Sequence, residues 1–493
     1  MAAGKSPLLA LGTPGRQDVV PEVGGTRRFL SNGVSNYLDP DASHDPPVFI
    51  KGCSNARKPA ILPPMLHGMS RSRIIAAMLW LGAATASAAW VFAALNLRSP
   101  YFLLARDTVF WLWLAGAALA AGWLVGQRKT LFARLRPLHL TIFAALAGGA
   151  LAGHGRWLHE QHRRRVVATP VERMPPVARH LVIGWLGLEE TRTLAAKGAI
   201  AGVFLTNRDF APGAGLAEIR RTVDALQAAR REAGLPRLWI ATDQEGGPVA
   251  KLSPPLPRQP ALASLLTELD GPGLASHPQR AAEIVRRVTE YADAQGQALA
   301  DAGINLNFAP VVDLRPAAPP AALDLHSRIA TRALAADPAT VSLAGETYVR
   351  TLQRHGVTAV LKHFPGLGRV PADTHHFAAT LDATAADLLV SDWLPFREIS
   401  RRTGAGIMLG HVRVTALDAA LPASCSSAVM RDLLRRQWGL TGLLVTDDFS
   451  MTPIFHAPGG IVRAAEASMA AGVDLILLSY DAAAVYDLLA AKM

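Results

Sequence analysis

The stretch Leu238–Gly247, LWIATDQEGG, decides the fold. Its first half, Leu238–Thr242, is a short apolar run. Its second half packs two acids, Asp243 and Glu245, against a pair of glycines. A brief apolar run bounded by turn residues reads as a strand buried on both faces, which is the habit of parallel sheets. Amphipathic helical patterns lie on either side, at Leu216–Glu232 and Pro278–Ala302. Working outward, the same unit recurs at His180–Gly184, Gly202–Leu205, Asn305–Phe308, Thr358–Leu361, Gly406–Leu409, Leu443–Thr446 and Leu475–Ser479. Eight strand-like runs alternating with helices predict an α/β fold, a closed (β/α)8 TIM-type barrel rather than an open sheet.

In such a barrel the chemistry gathers on the loops that follow the strands. Those loops here carry Asp243 and Glu245, then Asp313 at the end of NFAPVVD, then KHFPGLG at 362–368 followed by Asp373-Thr374-His375-His376. His411 follows the sixth run and Asp447-Asp448 the seventh. Each has a plain structural reading by itself: Asp313 capping a loop, His411 a satisfied rim histidine, Asp448 orienting backbone amides. Together they are a dense set of acids and bases on one rim. No His-Glu-x-x-His or cysteine pair is present, so neither a metal nor a cofactor is expected. Pro365–Gly368 lacks the Gly-Lys-Ser/Thr of a phosphate loop, and no Gly-x-Ser-x-Gly elbow occurs. Cys425 sits in a loop before a helix and reads as inert. Carboxylates with a histidine, lacking a serine nucleophile, suit acetal chemistry, where one group attacks an anomeric carbon and another protonates the leaving oxygen.

Upstream of the barrel the character changes. Residues 1–173 hold 20 Lys and Arg against 8 Asp and Glu, a balance of +12, while the rest holds 30 against 31. The barrel is therefore near neutral and nucleic acid is not an expected partner. Two cysteines, Cys53 and Cys425, exclude a disulfide scaffold. Ile74–Leu97 and Thr108–Gly126 are apolar runs long enough to span a bilayer, and Leu138–Gly153 is a shorter third, with an interfacial or re-entrant segment as its alternative. Trp111, Trp113 and Trp123 suit interfacial positions, and Gly116, Ala120, Gly148 and Ala152 suit close helix packing. Arg57, Lys58, Arg71 and Arg73 precede the first run, and Arg128, Lys129, Arg134 and Arg136 follow the second, so these flanks read as cytoplasmic. Three spans put the barrel outside a bacterial inner membrane and two put it inside; Arg156 and Arg163–Arg165 narrow the margin. The expected organisation is a disordered tail at 1–69, a transmembrane region at 70–155, a linker at 156–177 and a catalytic barrel at 178–493. The true start is expected at Met65 or Met69 as an alternative to Met1.

LKHFPGLGRVPADTHH at 361–376 resembles the Lys-His-Phe-Pro-Gly-x-Gly signature, with its downstream Asp-x-His, of family 3 glycoside hydrolases, specifically the NagZ-type β-N-acetylhexosaminidases. DQEGG at 243–247, NFAPVVD at 307–313, RALAADP at 332–338 and TDDFSM at 446–451 agree in order. The resemblance implies a retaining mechanism, with Asp447 as nucleophile, His375 as acid/base and Asp373 as its paired carboxylate; the Asp-x-His spacing selects His375 over His376. It implies substrate contacts from Asp243, Lys251, Arg332, Lys362 and His363. Pro248 stands where the family has Arg, and Lys251 also replaces an Arg, losing the bidentate fork. Leu334 and Leu367 depart from a Phe-like residue and a His.

The implied activity is exo-hydrolysis of terminal β-linked GlcNAc, from peptidoglycan fragments or muropeptides, by an enzyme held in a lipid bilayer. A β-glucosidase of the same family and a non-catalytic membrane sugar-binding protein are the alternatives. Oligomeric state is not legible.

Overall fold

In the computed structural model the described residues are 70–97, 99, 106–126, 136–316 and 326–493. The tail at 1–69, with Cys53 and the basic residues before Arg71, lies outside them, as do Arg128, Lys129 and Arg134. Eight strands form a closed, all-parallel barrel: β1 (Leu181–Ile183), β2 (Gly202–Phe204), β3 (Trp239–Thr242), β4 (Leu306–Asn307), β5 (Thr358–Phe364), β6 (Gly406–Leu409), β7 (Leu444–Asp448) and β8 (Leu475–Leu478). Each pairs with its sequence neighbours, and β1 closes on β8 with Val182 opposite Leu477. All eight expected runs are strands. A helix follows each, from Leu188–Ala196 after β1 to Ala484–Ala490 after β8.

Alternation along the strands builds two cores. Val182, Ala241, Val360, Val445, Leu475 and Leu477 face the barrel axis with Phe204 and Phe308, whose rings stack at 5.9 Å. Leu181, Ile183, Ile240, Leu361, Leu444, Ile476 and Leu478 face the helices. This period of two fixes the site. Asp243 lies two residues beyond inward Ala241, Lys362 two beyond Val360, and Asp447 two beyond Val445, so all three continue the inward row at the carboxyl end of the barrel. Asp448 falls on the other face. Two small sheets cover this rim: a hairpin of Gln244–Gly246 with Val249–Ala250, and three strands, Ala379–Leu381, Val412–Val414 and Asp418–Pro422. Neither was legible in the sequence.

Before the barrel stand α1 (Arg71–Leu95), α2 (Arg106–Gly126) and α3 (Arg136–Ala168). Among the described residues one helix, α1, is long and apolar enough to cross a membrane. All three expose large apolar side chains, including Leu81, Phe92, Leu119 and Phe143. Small residues bring the helices together: a Cβ on Gly148 would lie 2.8 Å from the Trp90 ring and 2.9 Å from Trp113. Trp113 is therefore buried in an edge-to-face contact with Trp90 (5.2 Å) instead of sitting at an interface, while Trp111 is exposed. The side chain of Trp123 lies outside the described residues.

The stretch expected as a linker is helical through Ala168 and docked on the barrel. Val166 is fully buried in the outer core. His162 Nδ1 meets Asp487 at 2.7 Å, and Arg163 Nε donates to Glu190 at 3.1 Å.

Candidate active site

The inward carboxyl-end row of β3, β5 and β7 sets the floor of the site. Lys362 Nζ lies 2.7 Å from Asp243 Oδ1 and 2.5 Å from Glu245 Oε1. Arg332, on the short helix Ile329–Arg332, grips Glu245 through both carboxylate oxygens, at 2.9 and 2.7 Å. The Lys362 ammonium is 2% exposed and the Glu245 side chain 7%, so neither charge could persist there without the other. Burial pushes the Glu245 pKa up, and Arg332 and Lys362 more than reverse this, leaving it well below the usual carboxylate range. Burial pushes Lys362 the opposite way, and the fields of Asp243 and Glu245 again prevail, so its pKa is raised. Asp243, a quarter exposed, keeps lone pairs free for a ligand.

Glu245, the second acid of DQEGG, is the hub of this floor. Gly246 explains why DQEGG ends as it does. Its φ is +93°, and a Cβ there would fall 1.9 Å from the Tyr291 hydroxyl, which donates to Glu245 O. Replacing Glu245 by Gln leaves two buried cations with one carboxylate, at an expected cost of about 3–5 kcal/mol. The sign with pH follows from the lowered pKa: this stabilisation is complete above the unfolded-state carboxylate pKa and is lost as pH falls through the folded one. A melting temperature for the Gln variant equal to wild type at neutral pH would refute the hub.

Asp313 caps the loop after β5 and also orients an imidazole. It is 1% exposed and accepts from the backbone N–H of His363 and Leu367 and from His363 Nδ1–H at 2.7 Å. This aims His363 Nε2 toward Arg332, 3.4 Å away. His363 and Arg332 therefore lie with Asp243 and Lys362 on one floor. Lys251 meets the floor through its backbone, its N–H donating to Asp243 O at 3.0 Å, and among the described residues its ammonium enters none of the ion pairs.

At the end of β7 the adjacent acids have separate surroundings. Asp448 is 2% exposed and is saturated by Ser450 N–H (2.7 Å), Ser479 N–H (2.9 Å), Ser479 Oγ–H (2.5 Å) and Tyr480 N–H (2.9 Å), so it does orient backbone amides. Asp447, half-buried at the mouth, accepts one N–H among the described residues, from Asp448 at 2.9 Å. Burial raises its pKa, and the neighbouring imidazoles of His363, His411 and His375 together with that N–H lower it further than burial raises it. It is an ionised carboxylate with lone pairs to spare. His411 is the satisfied rim histidine: buried, with Nδ1 2.8 Å from Ser424 Oγ and Nε2 donating to Asp448 O at 2.9 Å.

The loop after β5 brings a histidine to the same mouth. Asp373 is fully buried and accepts from His375 N–H (3.0 Å), His375 Nδ1–H (2.9 Å) and His326 N–H (2.8 Å). These donors overcome the effect of burial and hold its pKa far below the ordinary value. The carboxylate fixes the proton of His375 on Nδ1 and leaves Nε2 for proton transfer. Thr452 N–H donates to His375 O at 3.2 Å and ties this loop to the segment after Asp447. His376 instead engages His326, Nε2 to Nδ1 at 2.9 Å. Among the described residues, His326, Asp373 and His376 are the one group whose ligand atoms lie close enough for a metal, and Asp373 there is already committed to His375. Cys425 is buried, with its thiol pKa raised by burial, which agrees with an inert reading.

The model of the glycosyl hydrolase family 3 N terminal domain matches residues 181–493. The β-hexosaminidase of Stenotrophomonas maltophilia (strain K279a) is 32% identical over 303 residues, covering 61% of this chain and 83% of that protein. Among solved structures, a family 3 β-N-acetylglucosaminidase from Paenibacillus sp. FPU-7 superposes with a TM-score of 0.56 at 30% identity, covering 64% of this chain and 57% of that longer one. NagZ from Neisseria gonorrhoeae, solved with N-trifluoroacetyl-D-glucosamine, gives 0.53 at 25% identity, covering 66% and 87%. With the barrel, the ordered motifs and the matched domain in agreement, the chain belongs to glycosyl hydrolase family 3, among its β-N-acetylhexosaminidases.

Proposed function

We propose that the protein is a membrane-anchored, retaining exo-β-N-acetylglucosaminidase that removes terminal β-linked GlcNAc, with GlcNAc–N-acetylmuramyl fragments of peptidoglycan as its natural class. The observation that carries the mechanism is the pairing of an inward, under-coordinated Asp447 with an Asp373-oriented His375 at one mouth. Asp243, Lys362, His363 and Arg332 hold sugar hydroxyls by charge-assisted hydrogen bonds and set the ring against Asp447. Asp447 attacks the anomeric carbon while His375 gives a proton to the departing oxygen; a glycosyl ester forms and the aglycone leaves. Water then takes its place, His375 removes its proton, and the ester is cleaved with net retention. Buried Asp373 stabilises the imidazolium in the first step.

The membrane reading rests on the exposed apolar surface of α1, α2 and the first half of α3, which a water-soluble protein would bury. At 1.5 Å per residue the 25 and 21 residues of α1 and α2 extend about 37 and 31 Å, enough for a ~30 Å hydrocarbon core. Three spans with basic flanks inside place the barrel on the outer face of the inner membrane. Measured on the full chain in detergent, kcat/KM for an aryl β-GlcNAc should exceed that for the aryl β-glucoside by about 100-fold or more, a floor set well under the roughly 10⁴- to 10⁵-fold by which a site built to hydrogen-bond a group rejects an analogue lacking it. A ratio near one would return the β-glucosidase alternative.

A further inference from the structure

The second half of α3 shows which end of the barrel faces the apolar helices. The helix Ala484–Ala490 follows β8 and so runs from the carboxyl-end rim back toward the opposite end. His162 of α3 meets Asp487, and Thr169, just past α3, meets Met493. The partners ascend together, so α3 runs parallel to that helix, with Ala168 at the far end and the apolar residues before His154 projecting beyond the rim that carries Asp447. Two contacts from the other helices agree. Arg106, the first residue of α2, grips Asp481 with both terminal nitrogens at 3.1 and 2.8 Å. Ser99, just after α1, lies 3.3 Å from His456 Nε2. Asp481 and His456 are on the rim loops after β8 and β7. The apolar ends of all three helices therefore begin at the level of the site's mouth.

The barrel surface points the same way. Among the described residues it exposes six large apolar side chains: Leu188, Val285, Phe377, Val390, Leu421 and Tyr480. Leu188, Phe377, Leu421 and Tyr480 lie between a strand end and the first residue of the helix after it, and Phe377 is two residues from His375. Val390 ends the short helix Ala385–Val390, and Val285 lies two turns into the helix Pro278–Asp301. In water such a ring of exposed apolar groups is costly; against lipid headgroups it is favourable.

We infer that the mouth of the site faces the bilayer surface, and that the preferred substrate is a terminal β-GlcNAc glycoside whose aglycone is anchored in the same membrane. This rests on the membrane-spanning reading and adds to the proposed activity a requirement on the aglycone side. It includes the GlcNAc–N-acetylmuramyl linkage while that disaccharide is still carried on a lipid. Tethering enzyme and substrate to one surface raises the effective concentration of each for the other.

The test uses the full chain in phosphatidylcholine–phosphatidylglycerol vesicles with a non-exchanging dialkyl-lipid β-GlcNAc. The lipid is placed in the enzyme's own vesicles or in separate ones, with a soluble aryl β-GlcNAc as control. Cleavage in the shared vesicles should be about 10-fold faster or more than across vesicles. An environment-sensitive fluorophore at Leu421→Cys should be quenched by a headgroup-level quencher, and one at Val285→Cys should not. Equal rates in both arrangements with the soluble control cleaved normally, or equal quenching at both positions, would overturn the membrane-facing mouth and leave the hexosaminidase reading standing. Failure to cleave even the soluble control would instead overturn the proposed machinery.

Discussion

Asp447→Asn should lower kcat/KM by about 10⁴-fold or more, some 5 kcal/mol of lost transition-state stabilisation, with little change in folding. The reason is the contrast between neighbours. Asp448 is saturated by four donors and anchors the loop after β8. Among the described residues Asp447 accepts a single N–H, and its carboxylate is otherwise offered to the mouth. Amide for carboxylate at 447 keeps shape and removes the nucleophilic charge, so the loss falls on chemistry. A slow fluorinated GlcNAc donor should leave a sugar on the peptide carrying Asp447. Because the pKa of Asp447 is lowered, the acid limb of kcat/KM assigned to it should lie below the ordinary carboxylate range. A variant that keeps wild-type turnover, or a sugar trapped on another residue, sinks the assignment.

His375→Ala should show a split that no structural defect reproduces. General acid catalysis contributes typically 10²- to 10⁴-fold, and the contribution shrinks as the leaving group needs less protonation. The loss should therefore be about 10²-fold or more with an alkyl or sugar aglycone, and much smaller with a nitrophenyl aglycone in the glycosylation step. His376→Ala should change either rate by a few-fold at most, because its ring is turned to His326. Asp373→Asn should follow His375→Ala in direction, since the amide cannot stabilise the imidazolium as the carboxylate does. Equal losses for both leaving groups would remove His375 from the acid role.

Much of the barrel was legible because its determinants are local. Short apolar runs that end in acids and glycines identify strands and their rims without any long-range information, and all eight were strands. What could not be read was decided by packing between distant segments. Glu245 stands in plain view beside Asp243, yet nothing nearby in sequence announces that Arg332 and Lys362 converge on it. Asp313 has the look of a capping residue and is one, but nothing nearby in sequence announces that it also orients His363, fifty positions on. The choice between Asp447 and Asp448 came from the family motif; the two-residue strand period provides its physical reason, but only once Val445 is known to face inward. Lys251 carries a matching charge at a matching position, and what ties it to Asp243 among the described residues is its backbone N–H. The charged half of α3 read as a linker because its helical face is polar except where Val166 enters the barrel core.

That docked half of α3 has a practical meaning for where the chain can be cut. The family match begins at residue 181, but the cooperative folding unit does not. Trimming to that boundary would uncover the flank lined by Tyr486, Asp487 and Glu190 and strip away Val166, exchanging a sealed side for a sticky one. A shortened version of the enzyme should begin near His154, retaining the helical strap while shedding the exposed apolar helices before it.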